Sequence, residues 1–321
     1  MLRLTMRSTV TLLVSALVGS LVVFGLLRLL GGDVAMLILG PDSAPEARAA
    51  LREEFGLNRP WYVQYAEWIR GLVVGDLGTS YAARFDIGEQ IARRLGVTAL
   101  LAFLTLAVSA VIALVLGTYS AMHARKTRGA AVDVGAQLGM AIPNFWAGLV
   151  LVVIFAIQLG WLPAGGYEPF TEDPVRALIF LILPVIALGL GITANLTRFV
   201  RSEMIDVLND DYVRTAMAKG RTLSSAAIVH GVRNAAIPLV TVSAISLGNL
   251  IAGAVVIENV FVLPGLGRLV LTSVQGREAI VVQSAVFVIL LIILVMNFLM
   301  DIAYGLLDPR VRHQEGSADR E

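Results

Sequence analysis

Six long apolar stretches constrain this chain more than any other feature. They run from Thr9 to Leu30, Val97 to Met122, Val134 to Leu159, Ala177 to Phe199, Ala235 to Ile257 and Ala279 to Tyr304. About 20 apolar residues in a helix suffice to cross the hydrocarbon core of a bilayer. Asp, Glu, Lys and Arg are absent from the second, third and fifth stretches, while Arg28, Arg198 and Asp301 lie near span ends. A charge at mid-membrane costs about 3 kcal/mol on an insertion scale, so lipid selects this avoidance. Charged residues make up only 15% of the chain, and they gather in the gaps between the stretches. Lipid offers the backbone no hydrogen-bond partner, which leaves helices as the economical way across. The expected fold class is all-α, a polytopic membrane protein with about six transmembrane helices.

Arg3 and Arg7 precede the first stretch as they would in a signal peptide. The apolar run exceeds the usual h-region of about 7–15 residues, and no A-x-A site follows near Gly31. Residues 1–30 therefore read as a retained first helix. Orientation follows from basic residues in short loops. Arg125, Lys126 and Arg128 follow the second span, and Arg201, Arg214, Lys219, Arg221 and Arg233 follow the fourth. The segment from Gly160 to Asp173 has no base but carries Glu168, Glu172 and Asp173. Both termini are expected in the cytoplasm. Residues 31–96 then form an extracytoplasmic helical segment, 97–306 the core with a cytoplasmic loop at 200–234, and 307–321 a cytoplasmic tail. Seven arginines in 31–96 run against the charge rule, which loses force over long segments.

Within 31–96, Ser43-Ala-Pro-Glu46 matches a capping box, and a helix from there should stop at Gly56. A second helix should start near Asn58 and Pro60. Its Trp61, Tyr62, Tyr65 and Trp68 suit either the headgroup boundary or a small packed core. In the 200–234 loop, Asp210 or Asp211 can cap a short helix, Tyr212 to Lys219, that ends with Gly220 at C′. Tyr212, Ala216 and Lys219 share one face of it, and Thr215, Ala216 and Ala218 keep its surface low. Between the last two spans, Glu258-Asn259-Val-Phe261-Val-Leu-Pro264-Gly265-Leu-Gly267-Arg268 carries a Pro-Gly turn signal. Pro143 and Pro184 should kink the third and fourth spans.

The absence of cysteine excludes disulfides, thiolate catalysis and sulfur-ligated metal, and three histidines are few for an imidazole metal site. A formal net charge of +1 argues against nucleic acid as a partner. There is no G-x-x-x-x-G-K-[ST] run, no H-E-x-x-H, no G-x-S-x-G and no paired-carboxylate constellation, so no catalytic residue is assigned and the chain is not read as an enzyme. Its span-buried polar groups are mostly amides, Asn144, Gln158, Asn195, Asn249, Gln283 and Asn297, suited to helix–helix hydrogen bonds. An ion-coupled transporter or channel working alone normally keeps ionisable groups at mid-membrane, and their scarcity disfavours that alternative. A transport role would need an external source of energy.

The residues supply a resemblance. Arg214-Thr-Ala-Met-Ala-Lys-Gly220, followed by His230 and Arg233-Asn234-Ala-Ala-Ile-Pro238, resembles the EAA loop of ABC importer permeases. Gly75-Asp-Leu-Gly-Thr-Ser80, Pro143-Asn-Phe-Trp146, Leu159-Gly-Trp-Leu-Pro163, Glu258 through Arg268 and Leu307-Asp-Pro-Arg310 follow in the order of the dipeptide/oligopeptide/nickel branch. The match is to the first of that branch's two paired permeases. Arg214 stands where the general pattern has Glu.

The resemblance implies a type I ABC importer-like transmembrane domain in the bacterial inner membrane. It implies a second homologous permease, two ATP-binding subunits and an extracytoplasmic substrate-binding protein as partners, besides membrane lipid. ATP and Mg would sit on the ATPase, with no cofactor or metal on this chain. Tyr212, Arg214, Thr215, Ala216, Lys219 and Gly220 would couple to the ATPase. Glu258, Asn259, Phe261, Pro264, Gly265, Gly267 and Arg268 would serve an outer gate or the binding-protein interface. The implied cargo is a peptide or related small solute: dipeptide, oligopeptide, nickel chelate or glutathione.

Overall fold

The computed structural model describes residues 2–30, 34–222, 225 and 232–307. The side chains of residues 2–4, 30, 34, 37, 212, 214, 216, 303–307 and most of 233–244 lie outside that description. Twelve helices are described: α1 Leu2–Leu30, α2 Val34–Leu39, α3 Pro45–Glu54, α4 Trp61–Val74, α5 Ile87–Met122, α6 Thr127–Ala141, α7 Asn144–Leu151, α8 Pro174–Asn209, α9 Asp211–Ala218, α10 Arg233–Val260, α11 Leu266–Gln275 and α12 Ala279–Leu307. Four stretches are long and apolar enough to cross a membrane: Thr5–Leu29, Ile87–Met122, Pro174–Asn209 and Ala279–Ile302. With the 28-residue α10 and the pair α6–α7, they account for the six expected spans.

Two of the expected spans take a different form. The third is bent by 100° between Thr127–Ala141 and Asn144–Gln158. Ile142 is held extended (φ −81°, ψ 121°) by the proline ring that follows it, and Pro143 (ψ 135°) brings no N–H to continue the ladder. α7 then loosens into a π-helical segment, Val152–Gln158. Pro184, by contrast, lies inside α8, which runs unbroken for 36 residues. The second span is longer than expected, because α5 begins at Ile87. Its 36 residues extend about 54 Å at 1.5 Å per residue, beyond the roughly 30 Å of hydrocarbon.

The chain forms two compact units. One comprises Met1–Thr98 and Pro264–Ile302. Its core gathers Ile87 and Ile91 of α5, Leu266 and Leu269 of α11, and Val281 and Ala285 of α12. The four aromatics of α4 divide between the two expected environments. Tyr65 and Trp68 pack with Phe24 of α1, at 5.3 Å and 6.3 Å between ring centroids, and Trp68 meets Phe287 of α12 edge-on at 5.3 Å. Trp61 and Tyr62 remain more than half exposed. The expected capping box does not form: Ser43 donates to the Gly40 carbonyl at 2.7 Å, and Ala44 is the N-cap of α3. Pro45 opens that helix as expected.

In the same unit, the turn after α4 is held by one carboxylate. Glu278 accepts from Ser80 Oγ at 2.6 Å and from the N–H groups of Tyr81 and Ala82 at 3.2 Å each. The Tyr81 ring stacks on Phe55 at 4.4 Å. Burial, and secondarily the Glu278 charge, raises the Tyr81 phenol above its ordinary pKa.

The second unit is built on Ala99–Leu263. Ala113 and Ala121 of α5, Leu196, Val200 and Met204 of α8 and Leu239 of α10 form one buried cluster. α8 is its central element, packing against α6, α7, α9 and α10.

Candidate functional site

The short helix expected in the 200–234 loop is present as α9, Asp211–Ala218. Asp210 occupies the N-cap position with extended backbone (ψ 149°) but without a side-chain cap bond. Thr215 Oγ1 bonds back to the Asp211 carbonyl at 2.8 Å. The helix closes through Lys219, whose N–H reaches the Thr215 carbonyl at 3.1 Å, and Gly220 bonds to Met217 at 2.9 Å. Gly220 has φ +90°, a left-handed conformation in which any side chain is strained, although the space around it is open.

α9 packs on α8. Val213 is fully buried, whereas Thr215, Met217, Ala218, Lys219 and Gly220 are exposed. Among the described side chains, an apolar anchor lies beneath, and Thr215, Met217, Ala218 and Lys219 face outward. The side chains of Tyr212, Arg214 and Ala216 lie outside the described residues, as do His230 and most of 223–231.

Close to this helix along α8 lies a polar tie that sequence reading missed. Arg201 Nε is 3.0 Å from Asp133 Oδ1 of α6 and donates to Ser120 Oγ of α5 at 3.0 Å. Ser120 in turn reaches Asp133 at 3.0 Å, and its residue is fully buried. Three helices thus meet on one half-buried ion pair, a stronger device than an exposed one. The signal was faint: Asp133 sits one residue before an apolar stretch, and no local pattern pairs it with Arg201.

The 258–268 segment spans the end of one unit and the start of the other. In the first, Glu258 and Phe261 are buried, and the Glu258 carbonyl accepts from Leu263 N at 2.8 Å. Asn259 Nδ2 bonds to the Val255 carbonyl at 2.6 Å. The Phe261 carbonyl accepts from Gly166 N at 2.9 Å, fastening the 160–173 connection to the end of α10. Val262 sits at φ +59°, an uncommon conformation for a β-branched residue that stores roughly 1–3 kcal/mol.

In the other unit, Pro264 is half-buried and Gly265 is the N-cap of α11. Leu266 N bonds to Thr98 Oγ1 at 2.9 Å, and Gly267 is buried. Arg268 is half-buried, and its carbonyl accepts from Thr272 Oγ1 at 2.8 Å. The turn signal at Pro264-Gly265 therefore starts an amphipathic helix that sequence reading did not anticipate. Among the described residues there is no cluster of His, Asp or Glu suited to a metal ion.

Comparison with known proteins gives a consistent answer. The family model described as "Binding-protein-dependent transport system inner membrane component" matches residues 113–313. A second, "Binding-prot-dependent transport system membrane comp, N-term", matches residues 1–102. A Brucella abortus (strain 2308) protein named for a peptide transport system permease is 38% identical over 297 residues, covering 92% of this chain and 95% of that one. The oligopeptide transport system permease protein AppB of Bacillus subtilis (strain 168) is 36% identical, over 90% of this chain and 93% of its own length. The glutathione transport system permease protein GsiC of Salmonella choleraesuis (strain SC-B67) is 33% identical, over 98% and 100%.

Proposed function

This chain belongs to the family of binding-protein-dependent transport system inner membrane components, and from that premise we propose that it forms half of the translocation pathway of an ATP-driven importer. Its cargo class is that of the relatives' names, peptides and glutathione-like small solutes. A second permease completes the pathway, two separate ATPase subunits hold ATP and Mg, and an extracytoplasmic binding protein delivers the cargo. Both termini and α9 face the cytoplasm, while residues 31–96 and 160–173 face outward. Coupling runs through Tyr212, Arg214, Thr215, Ala216, Lys219 and Gly220. Glu258, Asn259, Phe261, Pro264, Gly265, Gly267 and Arg268 belong to an outer gate or the binding-protein contact.

The observation that carries this reading is the form of α9. Val213 is buried and α9 packs on α8, while Thr215, Met217, Ala218 and Lys219 stay exposed for a partner to cover. Such a helix can seat in a groove of an ATPase and transmit that subunit's closure to the 36-residue α8. The importer then alternates between two packings that its partner biases.

Gly220 offers the test. Gly220→Gln forces a side chain into the left-handed conformation at roughly 1–2 kcal/mol, whereas Gly220→Asn is tolerated there more readily. In proteoliposomes holding the whole importer, the Gln variant should lose about 5-fold or more of its uptake per ATP hydrolysed, with the Asn variant close to the parent. Full uptake and full coupling in the Gln variant would sink the assignment.

A further inference from the structure

A polar groove lies between α6 and α8, lined in part by the Asp133–Arg201 pair. It encloses about 510 Å³, within the range of small-molecule sites. Asp133 and Gln137 line it from one face of α6, and Asn195, Arg198, Arg201 and Ser202 line it from one face of α8. Asp133 and Arg201 are paired with each other. Arg198 is exposed, and its one side-chain hydrogen bond among the described residues is the weak one to Met140 Sδ at 3.7 Å. Asn195 is also exposed, and neither it nor Gln137 makes a side-chain hydrogen bond among the described residues. The groove thus presents one uncommitted guanidinium beside two uncommitted amides.

Position limits what this face can meet. Gln137 and Asn195 fall inside the apolar stretches Val134 to Leu159 and Ala177 to Phe199, where unpaired amides are unfavourable against lipid, and Arg198 stands at the end of the second. In membrane proteins such groups turn toward a water-filled cavity or toward protein. A guanidinium is a planar fork that matches a carboxylate with two parallel hydrogen bonds. Amide side chains suit the peptide group of the same ligand, because each both donates and accepts.

We propose that this groove is a carboxylate-binding subsite within the translocation pathway. Arg198 grips the terminal carboxylate of a peptide-like solute, and Gln137 and Asn195 bond to its amide groups. The inference rests on the permease reading above and names a chemical requirement for its cargo. The Asp133–Arg201 pair holds the two groove-lining helices at fixed spacing and leaves Arg198 as the free cation.

The test uses the complete importer in nanodiscs without its binding protein, with dialanine and dialanine amide as probes. Ligand-observed saturation-transfer NMR reads weak binding directly. The parent should give a signal with dialanine at least about 5-fold stronger than with the amide, since a charge-assisted bond is roughly twice as strong as a neutral one. Arg198→Gln should abolish that difference, and Arg198→Lys should keep part of it. Equal signals from both probes in the parent, or an unchanged preference in Arg198→Gln, would overturn the subsite. So would loss of a co-purifying anionic lipid as the one consequence of Arg198→Gln in native mass spectrometry. ATP-driven peptide uptake by the parent importer is measured in parallel in proteoliposomes supplied with the binding protein. Uptake without the Arg198-dependent preference removes the subsite alone, whereas absence of uptake strikes the importer reading.

Discussion

At Gly165 a single methyl group decides whether the 160–173 connection can lie against the end of α10. A Cβ there would come within 2.7 Å of the Phe261 carbonyl oxygen, a backbone atom with no rotamer to escape into. Gly165→Ala should therefore destabilise the chain by about 1–3 kcal/mol, as overpacking does. Gly135→Ala is the matched control: nothing lies within 4 Å of its Cβ, and it sits inside α6. Replacing a mid-helix glycine gains about 0.5–1 kcal/mol. Thermal unfolding in detergent should lower the midpoint for the first variant and hold or raise it for the second; the reverse order would refute the packing described. Sequence made these residues unequally legible. Gly220 was readable as a helix stop because a local rule demands a left-handed residue after a helix. Gly165 was not, because its partner lies 96 positions away on another element. Arg198 was readable as a basic residue near a span end, but its lack of a counter-charge emerges only once Asp133 is seen to engage Arg201.

A connection between helices keeps its shape when something other than its own backbone holds it, and the 75–86 turn shows how. Glu278 stands 198 residues from Ser80 and accepts three hydrogen bonds from the tip of the turn. Bonds to a charged acceptor contribute about 1.5–3 kcal/mol each. In Glu278→Gln, hydrogen exchange at the Tyr81 and Ala82 amides should quicken by about 10- to 100-fold, with α5 amides unchanged, because the opening is local. Unchanged protection at those two amides would refute the clamp.

The same substitution tests the Tyr81 phenol, whose ionisation is opposed first by burial and then by the Glu278 charge. Without that charge it should ionise at lower pH than in the parent, yet still above a free tyrosine, as followed by tyrosinate absorbance. The phenol is neutral in both folded and unfolded chains below a pH of about 10, and above it the unfolded chain ionises first. Its contribution is therefore lost as pH rises through the folded pKa. At this scale, propensity found α3 and α4 but misplaced the cap. Ser43 met the spacing of a capping box, yet its hydroxyl finds the Gly40 carbonyl instead, one of the local bonds that compete with capping.

On the scale of the whole chain, hydrophobic length was the most legible property, because lipid imposes it on every span independently. The 100° bend between α6 and α7 was readable only as a kink at Pro143; its size depends on what packs around it. Sidedness rests on charge bias alone and can be tested cleanly, since the chain contains no cysteine. Single substitutions Lys126→Cys and Lys219→Cys place thiols at exposed positions of the expected cytoplasmic side. Ala82→Cys and Glu172→Cys place exposed thiols on the opposite side. In right-side-out vesicles, a membrane-impermeant maleimide should label Ala82→Cys and Glu172→Cys at once, and the other two only after permeabilisation.

The pattern bears on mechanism as well as topology. Basic residues in short loops bias those loops to the cytoplasm, so the five after α8's apolar stretch outweigh the arginines of 31–96, which belong to a long segment. If α9 lies in the cytoplasm, the only energy it can receive is from a cytoplasmic partner, as coupling through Lys219 and Gly220 requires. Labelling of Lys219→Cys from outside would remove α9 from reach of any ATPase, and the coupling assignment would fall with it.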